Sequence, residues 1–274
     1  MIKKDNTINL LSLGLIVFSL ISLVLRTVAL FTAFDSHIGY FDTTAAITFF
    51  DRSFFAIAIF FGIVASFLTQ KSSVLITSPS NLWSIFASLI LGFIWMVSAL
   101  LIFIIGGGKI STFGYISLAS AVCSAIYYIY EGFRPIKALN NGRTLAALVP
   151  TIALISMIFI ENFDFTVALN NPDKQLMMFA FILAALFIIQ KLKLSTEAPS
   201  NRLYICSAYL TVFISLYFAI PGIIGNLAHV TDDPKYLVYY LLSLGIAIYS
   251  AIDLFGRIKL SSIGDASAPD ISEK

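Results

Sequence analysis

The amino-acid sequence predicts an all-α protein, a polytopic transmembrane helix bundle with eight helices arranged as two parallel four-helix repeats. Three observations carry this reading. The 274-residue chain is 59% hydrophobic and only 12% charged, whereas soluble globular domains carry about 45–50% apolar and about 25% charged residues. Its apolar runs match a hydrocarbon core of about 30 Å, which takes roughly 20 residues of helix. A third sign is duplication. Pro79-Ser80-Asn81 recurs as Pro199-Ser200-Asn201, and Phe67 with Gln70-Lys71 recurs as Phe187 with Gln190-Lys191. Over residues 61–99, shifted by 120, there are 12 identities in 39 positions. Farther on the shift is 122, and Ala125-Ile126-Tyr127 and Glu131 match Ala247-Ile248-Tyr249 and Asp253. Polar matches of this kind are hard to obtain by chance in an apolar chain, and internal repeats decide architecture rather than chemistry.

The eight runs are residues 10–34, 45–69, 82–105, 110–130, 144–160, 175–190, 203–228 and 236–252. Lys3-Lys4 ahead of the first run resembles the start of a signal peptide. A cleavable apolar region has about 7–15 residues, however, and this run has 25 with no small-x-small site after it. It is read as an uncleaved helix. The sixth run is short because Lys174 and Lys191 bracket it; it suffices if both lysines snorkel to the interfaces. Pro150 and Pro221-Gly222 fall inside runs five and seven, which membrane helices tolerate when neighbours satisfy the freed carbonyl. Gly106-Gly107-Gly108 reads as a tight turn, since no strand precedes it and no Gly-Lys-Ser/Thr follows. The repeats are bounded as 1–138 and 139–260, and residues 261–274, polar and without apolar period, as a disordered cytoplasmic tail.

Loop charges set the expected orientation. With eight helices, one side collects 12 of the 17 Lys and Arg residues and the other side 3, with Arg26 and Arg52 inside helices. The positive-inside rule then puts both termini in the cytoplasm of a plasma-membrane protein. Because four helices per repeat is an even number, both halves run in the same sense, about an axis along the membrane normal. The net charge of +2 and the scattered basic residues exclude a nucleic-acid partner. Cys123 and Cys206 lie within apolar runs, without metal-ligand spacing, and are expected to be buried thiols.

Candidate ligand-binding residues are Arg26, Asp51, Arg52, Asp35 and His37. Arg26 lies about 12 Å below the end of the first helix, and Asp51 about 9 Å deep on the same side, at a rise of 1.5 Å per residue. An unpaired charge at mid-bilayer costs at least about 2.5–3.5 kcal/mol, which a partner relieves. The pair defines an outward polar site, with Arg26 as anion-binding or gating group. It also fits a salt bridge fixing the first hairpin, or a second helix that begins only after Arg52. The 120-residue shift puts Asn171 opposite Asp51, so only one half owns the pair. Asp35 and His37 belong to an outward acidic set with Asp42, Glu161, Asp164, Asp173, His229, Asp232 and Asp233. Such carboxylates with imidazole suit a cation, but their spacing matches no metal motif, and a solvated face explains them more simply.

Two cytoplasmic-end carboxylates, Glu131 and Asp253, occupy matching repeat positions, each followed by a basic residue, Arg134 or Arg257. Helical i,i+3 and i,i+4 pairs account for them; a proton-binding carboxylate at the inner mouth is the sharper alternative. Trp95, Tyr209 and Tyr217 sit deeper than an interface belt requires, among Ser84, Ser88 and Ser98, as expected for helix packing or a pocket for an amphipathic ligand. Neither His-Glu-x-x-His nor Gly-x-Ser-x-Gly occurs, so no catalytic residue, metal or cofactor is assigned. Two function classes lead, ahead of an intramembrane enzyme: a permease-like carrier of a small or amphipathic solute between the halves, and a non-transporting membrane subunit, sensor or assembly factor. Partners are the lipid bilayer and either a solute or a membrane protein.

Overall fold

The computed structural model describes residues 3–35, 39–68, 82–105, 112–133, 141–164, 171–194, 201–231 and 234–266. The helices are α1 (Lys3–Thr32), α2 (Ala46–Leu68), α3 (Leu82–Ile105), α4 (Thr112–Phe133), α5 (Asn141–Asn162), α6 (Pro172–Lys193), α7 (Asn201–Leu227) and α8 (Pro234–Ala266), with a short antiparallel pair, β1 (Phe34–Asp35) and β2 (Tyr40–Phe41), between α1 and α2. All eight helices contain spans long and apolar enough to cross a membrane. Helices satisfy their own backbone groups, which lipid cannot do. Their outward faces carry large apolar side chains such as Val24, Phe60, Trp83, Phe93, Phe103 and Ile126, all more than half exposed. That surface suits hydrocarbon and is far too apolar for water.

Two helices form the centre. Within the spanning windows 72% of α7 and 67% of α8 are buried, against 22% for α2 and at most 44% for the rest. α7 packs on α8, α6, α1 and α2, and α8 on α7, α3 and α6. Composition explains the role of α7: Ser207, Thr211 and Ser215 recur every four residues and are all buried, a stripe of small side chains that lets backbones approach. Across from it, a side chain added at Gly62 of α2 would strike the Tyr209 ring at 2.2 Å. On α2 the buried positions Thr48, Asp51, Ala58, Gly62 and Ala65 trace one helical stripe, so Asp51 is carried inward by the same face that packs.

Contacts at helix ends fix the senses. The C-terminal part of α1 meets the N-terminal parts of α2 and α6, whereas the C-terminal ends of α4, α6 and α8 share the other end. The β1–β2 hairpin therefore marks one end of the bundle, and the N-terminal end of α1 and the C-terminal end of α8 lie toward the opposite, terminus end. α4 and α8 run in the same sense. The expected two-repeat symmetry is another matter. The pairs α1·α2 and α3·α4 recur as α5·α6 and α7·α8, as in any up-and-down bundle with short loops. Yet α7 is central and its counterpart α3 is not, and α2 finds its neighbours in α1 and α7 rather than in α3. The arrangement is a helical bundle whose symmetry is not established by its packing.

One alternative and three expectations are corrected. α2 begins at Ala46, as the second run predicts, so Asp51 and Arg52 lie inside it and the alternative of a helix that begins only after Arg52 falls. α6 runs from Pro172 over 22 residues, capped by Asn171, whose side chain accepts from the Asp173 and Lys174 amides. Its lysines do not snorkel: Lys174 is fully buried and donates to the Asp164 carbonyl at 2.7 Å, while Lys191 reaches across to α4. Cys123 is exposed on the outer face of α4, and Cys206 is half-buried, because the apolar surroundings read from the sequence are lipid as well as core. The fourth is the end of α8, which continues to Ala266 and takes in the first residues of the expected tail.

Candidate functional site

At the hairpin end a guanidinium is shared by two carboxylates. Arg26 Nη1 is 3.6 Å from Asp51 Oδ2, and Nη2 is 3.4 Å from Asp173 Oδ1. Each contact is to a single oxygen, so neither pair is the bidentate fork that makes Arg–carboxylate pairs strong. Two tyrosines complete the cluster: Tyr217 donates to Asp51 Oδ2 at 2.7 Å and Tyr240 to Asp173 Oδ2 at 3.4 Å. Aromatic faces cover the cation, with the Phe41 ring centroid at 3.9 Å and that of Tyr217 at 5.4 Å. A desolvated cation–π contact is worth about 2 kcal/mol, so β2 acts as a lid on the arginine. Five helices and the hairpin converge here.

Beside it lies a second group. Lys235 Nζ is 2.7 Å from Glu161 Oε2 and 2.6 Å from Asp164 Oδ2, and Tyr236 donates to Glu161 Oε1 at 3.0 Å. Glu161 is fully buried. Asn171 Nδ2 donates to the Gly39 carbonyl at 3.3 Å, which ties the hairpin turn to the N-terminus of α6. That turn uses Gly39 at φ +70°, a conformation open to glycine at no steric cost.

The terminus end carries its own cluster. Lys191 Nζ sits 2.8 Å from Glu131 Oε1 and 3.7 Å from Asp253 Oδ1, so one lysine bridges both cytoplasmic-end carboxylates. Asp253 also takes Arg257 Nε at 3.0 Å and the Tyr204 hydroxyl at 2.5 Å. Tyr249 donates to Glu131 and in turn accepts from Lys191. The expected Asp253–Arg257 helical pair is present; Arg134, the partner expected for Glu131, lies outside the described residues, and the cation found there is Lys191.

Between the clusters, along α7, α8 and α3, lie buried polar atoms. The hydroxyls of Thr211, Ser215, Ser243 and Ser250, the Tyr209 hydroxyl and the Trp95 indole N–H find no hydrogen-bond partner among the described residues. Ser19, Ser22, Ser117 and Thr151 on other helices are likewise without a partner among the described residues, whereas Ser66, Ser120, Ser124, Ser156 and Ser207 close onto their own helix, Ser120 onto Ile116 and Ser124 onto Ser120 both at 2.6 Å. Unpaired groups in a low-dielectric interior are costly.

Of the sequence candidates, Arg26 and Asp51 are brought together and buried. Arg52 is exposed on α2, Asp35 is exposed in β1, and neither contacts Arg26 among the described interactions. His37, Asp232 and Asp233 lie outside the described residues. Sequence reasoning missed Asp173, Tyr217, Tyr240 and Lys191 as partners. Asn171-Pro172-Asp173 was the available signal, since it is an N-cap, a first-turn proline and a first-turn acid, which starts α6 early enough to put Asp173 inside it.

Fold and clusters together define a multi-pass helical membrane protein. No known protein family, curated protein or solved structure matches the chain.

Proposed function

We propose that the protein is a permease-like carrier that moves a small or amphipathic solute through the interior around α7 and α8, with the two charge clusters acting as gates. One observation carries the reading: each cluster ties helices from both sequence halves, and together they enclose the unpaired hydroxyls. The Arg26 cluster links α1 and α2 to α6, α7 and α8; the Lys191 cluster links α4 to α6 and α8. Ion pairs that bridge halves at both ends are what a closed, occluded carrier needs, and charges within a membrane are tolerated where they serve such a path. The duplicated sequence supports two related halves, and the basic bias supports placing the hairpin end outside the cell and the termini in the cytoplasm. No catalytic step is part of this reading.

A specific observation favours the second class, a non-transporting subunit. Trp95, Tyr209, Phe213 and Leu91 are wholly buried where the halves meet, as in an interface that only packs. Substituted-cysteine accessibility separates the two without knowledge of the solute. In a chain with Cys123 and Cys206 replaced, Ser215→Cys and Ser243→Cys should react with a membrane-impermeant methanethiosulfonate, from the hairpin side in one population and from the terminus side in another. If neither cysteine reacts from either side under any condition, the carrier reading fails and the packed-subunit reading stands.

A further inference from the structure

Among the described residues of the hairpin end, four carboxylates, Asp51, Asp173, Glu161 and Asp164, share two ion-paired cations, Arg26 and Lys235, and Lys174 donates to the Asp164 carbonyl. At the Arg26 cluster one guanidinium serves two carboxylates, of which Asp51 is 1% exposed. Arg52, next to Asp51 in sequence, is exposed and acts on Asp51 only as a more distant, solvent-screened charge, without an ion pair among the described contacts. Two carboxylates competing for one guanidinium cannot both be neutralised by it, and a carboxylate so placed takes up a compensating charge.

A second observation says where. Asp51 Oδ2 receives the Tyr217 hydroxyl and faces Arg26, but Asp51 Oδ1 is buried without a donor. One turn earlier on the same stripe of α2, the Thr48 hydroxyl is 2% exposed and also without a partner. Residues three apart on a helix are neighbours, about 5–6 Å between Cβ atoms. An anionic oxygen and a neutral oxygen thus stand on one buried face, both with vacant lone pairs. The groups facing Asp51 from the surrounding helices are Arg26 of α1, Tyr217 of α7 and, across Arg26, Asp173 of α6 and Tyr240 of α8. None supplies another donor to Oδ1.

We propose that Asp51 Oδ1, with the Thr48 hydroxyl beside it, holds a single monovalent cation, H+ or Na+. The cation restores charge balance at the Arg26 cluster, and the site is a binding site whether or not the bundle carries a solute. In a carrier it would be the coupling site, because occupation decides how firmly Asp51 holds Arg26 and hence α2 holds α1.

The full-length protein in detergent or nanodiscs tests this by its thermal midpoint. Na+ is exchanged for choline at constant ionic strength, at fixed pH values from about 5 to 9. If Na+ is the ligand, the wild-type midpoint rises with Na+ at fixed pH. If the proton is the ligand, it rises as pH falls and ignores Na+. Either dependence should be lost in Asp51→Asn, which leaves Arg26 and Asp173 matched one to one and so preserves the fold; Thr48→Ala should weaken the Na+ response alone. Equal dependence of wild type and Asp51→Asn on both ions overturns the proposal. Should Asp51→Asn not fold, Tyr217→Phe decides. It removes a donor to the carboxylate, so the cation should be held more tightly, seen as a midpoint shifted to higher pH or lower Na+, and an unshifted midpoint is the overturning result.

Discussion

Arg26 shows how one residue's environment changes the expected energetics. As half of a pair with Asp51, either partner would be equally costly to remove. With Asp173 as a second acceptor at 3.4 Å, the costs separate. Arg26→Ala leaves the buried Asp51 carboxylate facing the half-buried Asp173 carboxylate, and breaking a buried pair this way typically costs about 3–5 kcal/mol. Asp51→Asn should cost clearly less, and Arg26→Ala combined with Asp51→Asn should recover part of the loss. Thermal midpoints of the three proteins check the order; if Asp51→Asn is as damaging as Arg26→Ala, the sharing of the guanidinium is not what holds this end. A smaller case lies at the hairpin exit. Asp42 Oδ1 accepts from the Thr44 amide at 2.8 Å and hydroxyl at 2.7 Å, and these bonds hold its carboxyl below the usual carboxylate value. A lowered folded value means the contribution is present above the ordinary carboxylate range and fades as pH falls through the folded value. The difference in thermal midpoint between wild type and Asp42→Ala should therefore shrink on acidification below about pH 4, the ordinary Asp range; a difference that stays constant would mean the bonds do not depend on charge.

At the scale of elements, eight helices were legible because length and apolarity alone decide them in a membrane. Their neighbours were not. Apart from the small-residue stripe Ser207, Thr211 and Ser215 on α7, the apolar runs are apolar all round, so no amphipathic face announced that α7 and α8 are central. The hairpin was likewise hidden: Phe34-Asp35 and Tyr40-Phe41 are too short to show alternation. Site residues followed the same division. Arg26 and Asp51 were legible because charge in an apolar run is conspicuous, and they sit on consecutive helices. Tyr217 is 166 residues from Asp51, and Tyr240 is 67 from Asp173, and tyrosines in a run rich in aromatics carry no such mark. A 120-residue register pointed to Asn171, which caps α6, while the carboxylate that joins Arg26 is two residues on. Close helix approach can also be tested at this scale. On α3, a side chain at Gly92 would meet the Ala125 carbonyl and the Ile129 amide of α4 at 3.1 Å. Backbone cannot step aside as a ring can, so Gly92→Val should separate α3 from α4. Overpacking of this kind costs typically 1–3 kcal/mol, and the variant should show a lowered thermal midpoint; a midpoint equal to that of wild type would mean the helices are free to part.

For the whole molecule, the two clusters stand at opposite ends of the same pair of helices, and the proposed carrier reading requires their states to be interdependent. α8 contributes Tyr240 to one cluster and Asp253 to the other, and α6 contributes Asp173 and Lys191. α6 and α8 are joined chiefly through α7, which packs on both; where the three move together, as the carrier reading requires, release at one end presses on the other. Coupling of this kind is a free energy shared between sites, and it is reciprocal. Lys191→Gln removes the cation that bridges Glu131 and Asp253 while leaving Asp253 with Arg257. It should raise the labelling rate of Ser250→Cys from the terminus side and lower that of Ser215→Cys from the hairpin side. Arg26→Gln should reverse both changes. Were each substitution to speed labelling only at its own end, with the far end unaltered, the clusters would be local clasps that fray independently. Were neither to change labelling anywhere, they would not be gates, and the Lys191 and Arg26 clusters would be parts of a static core.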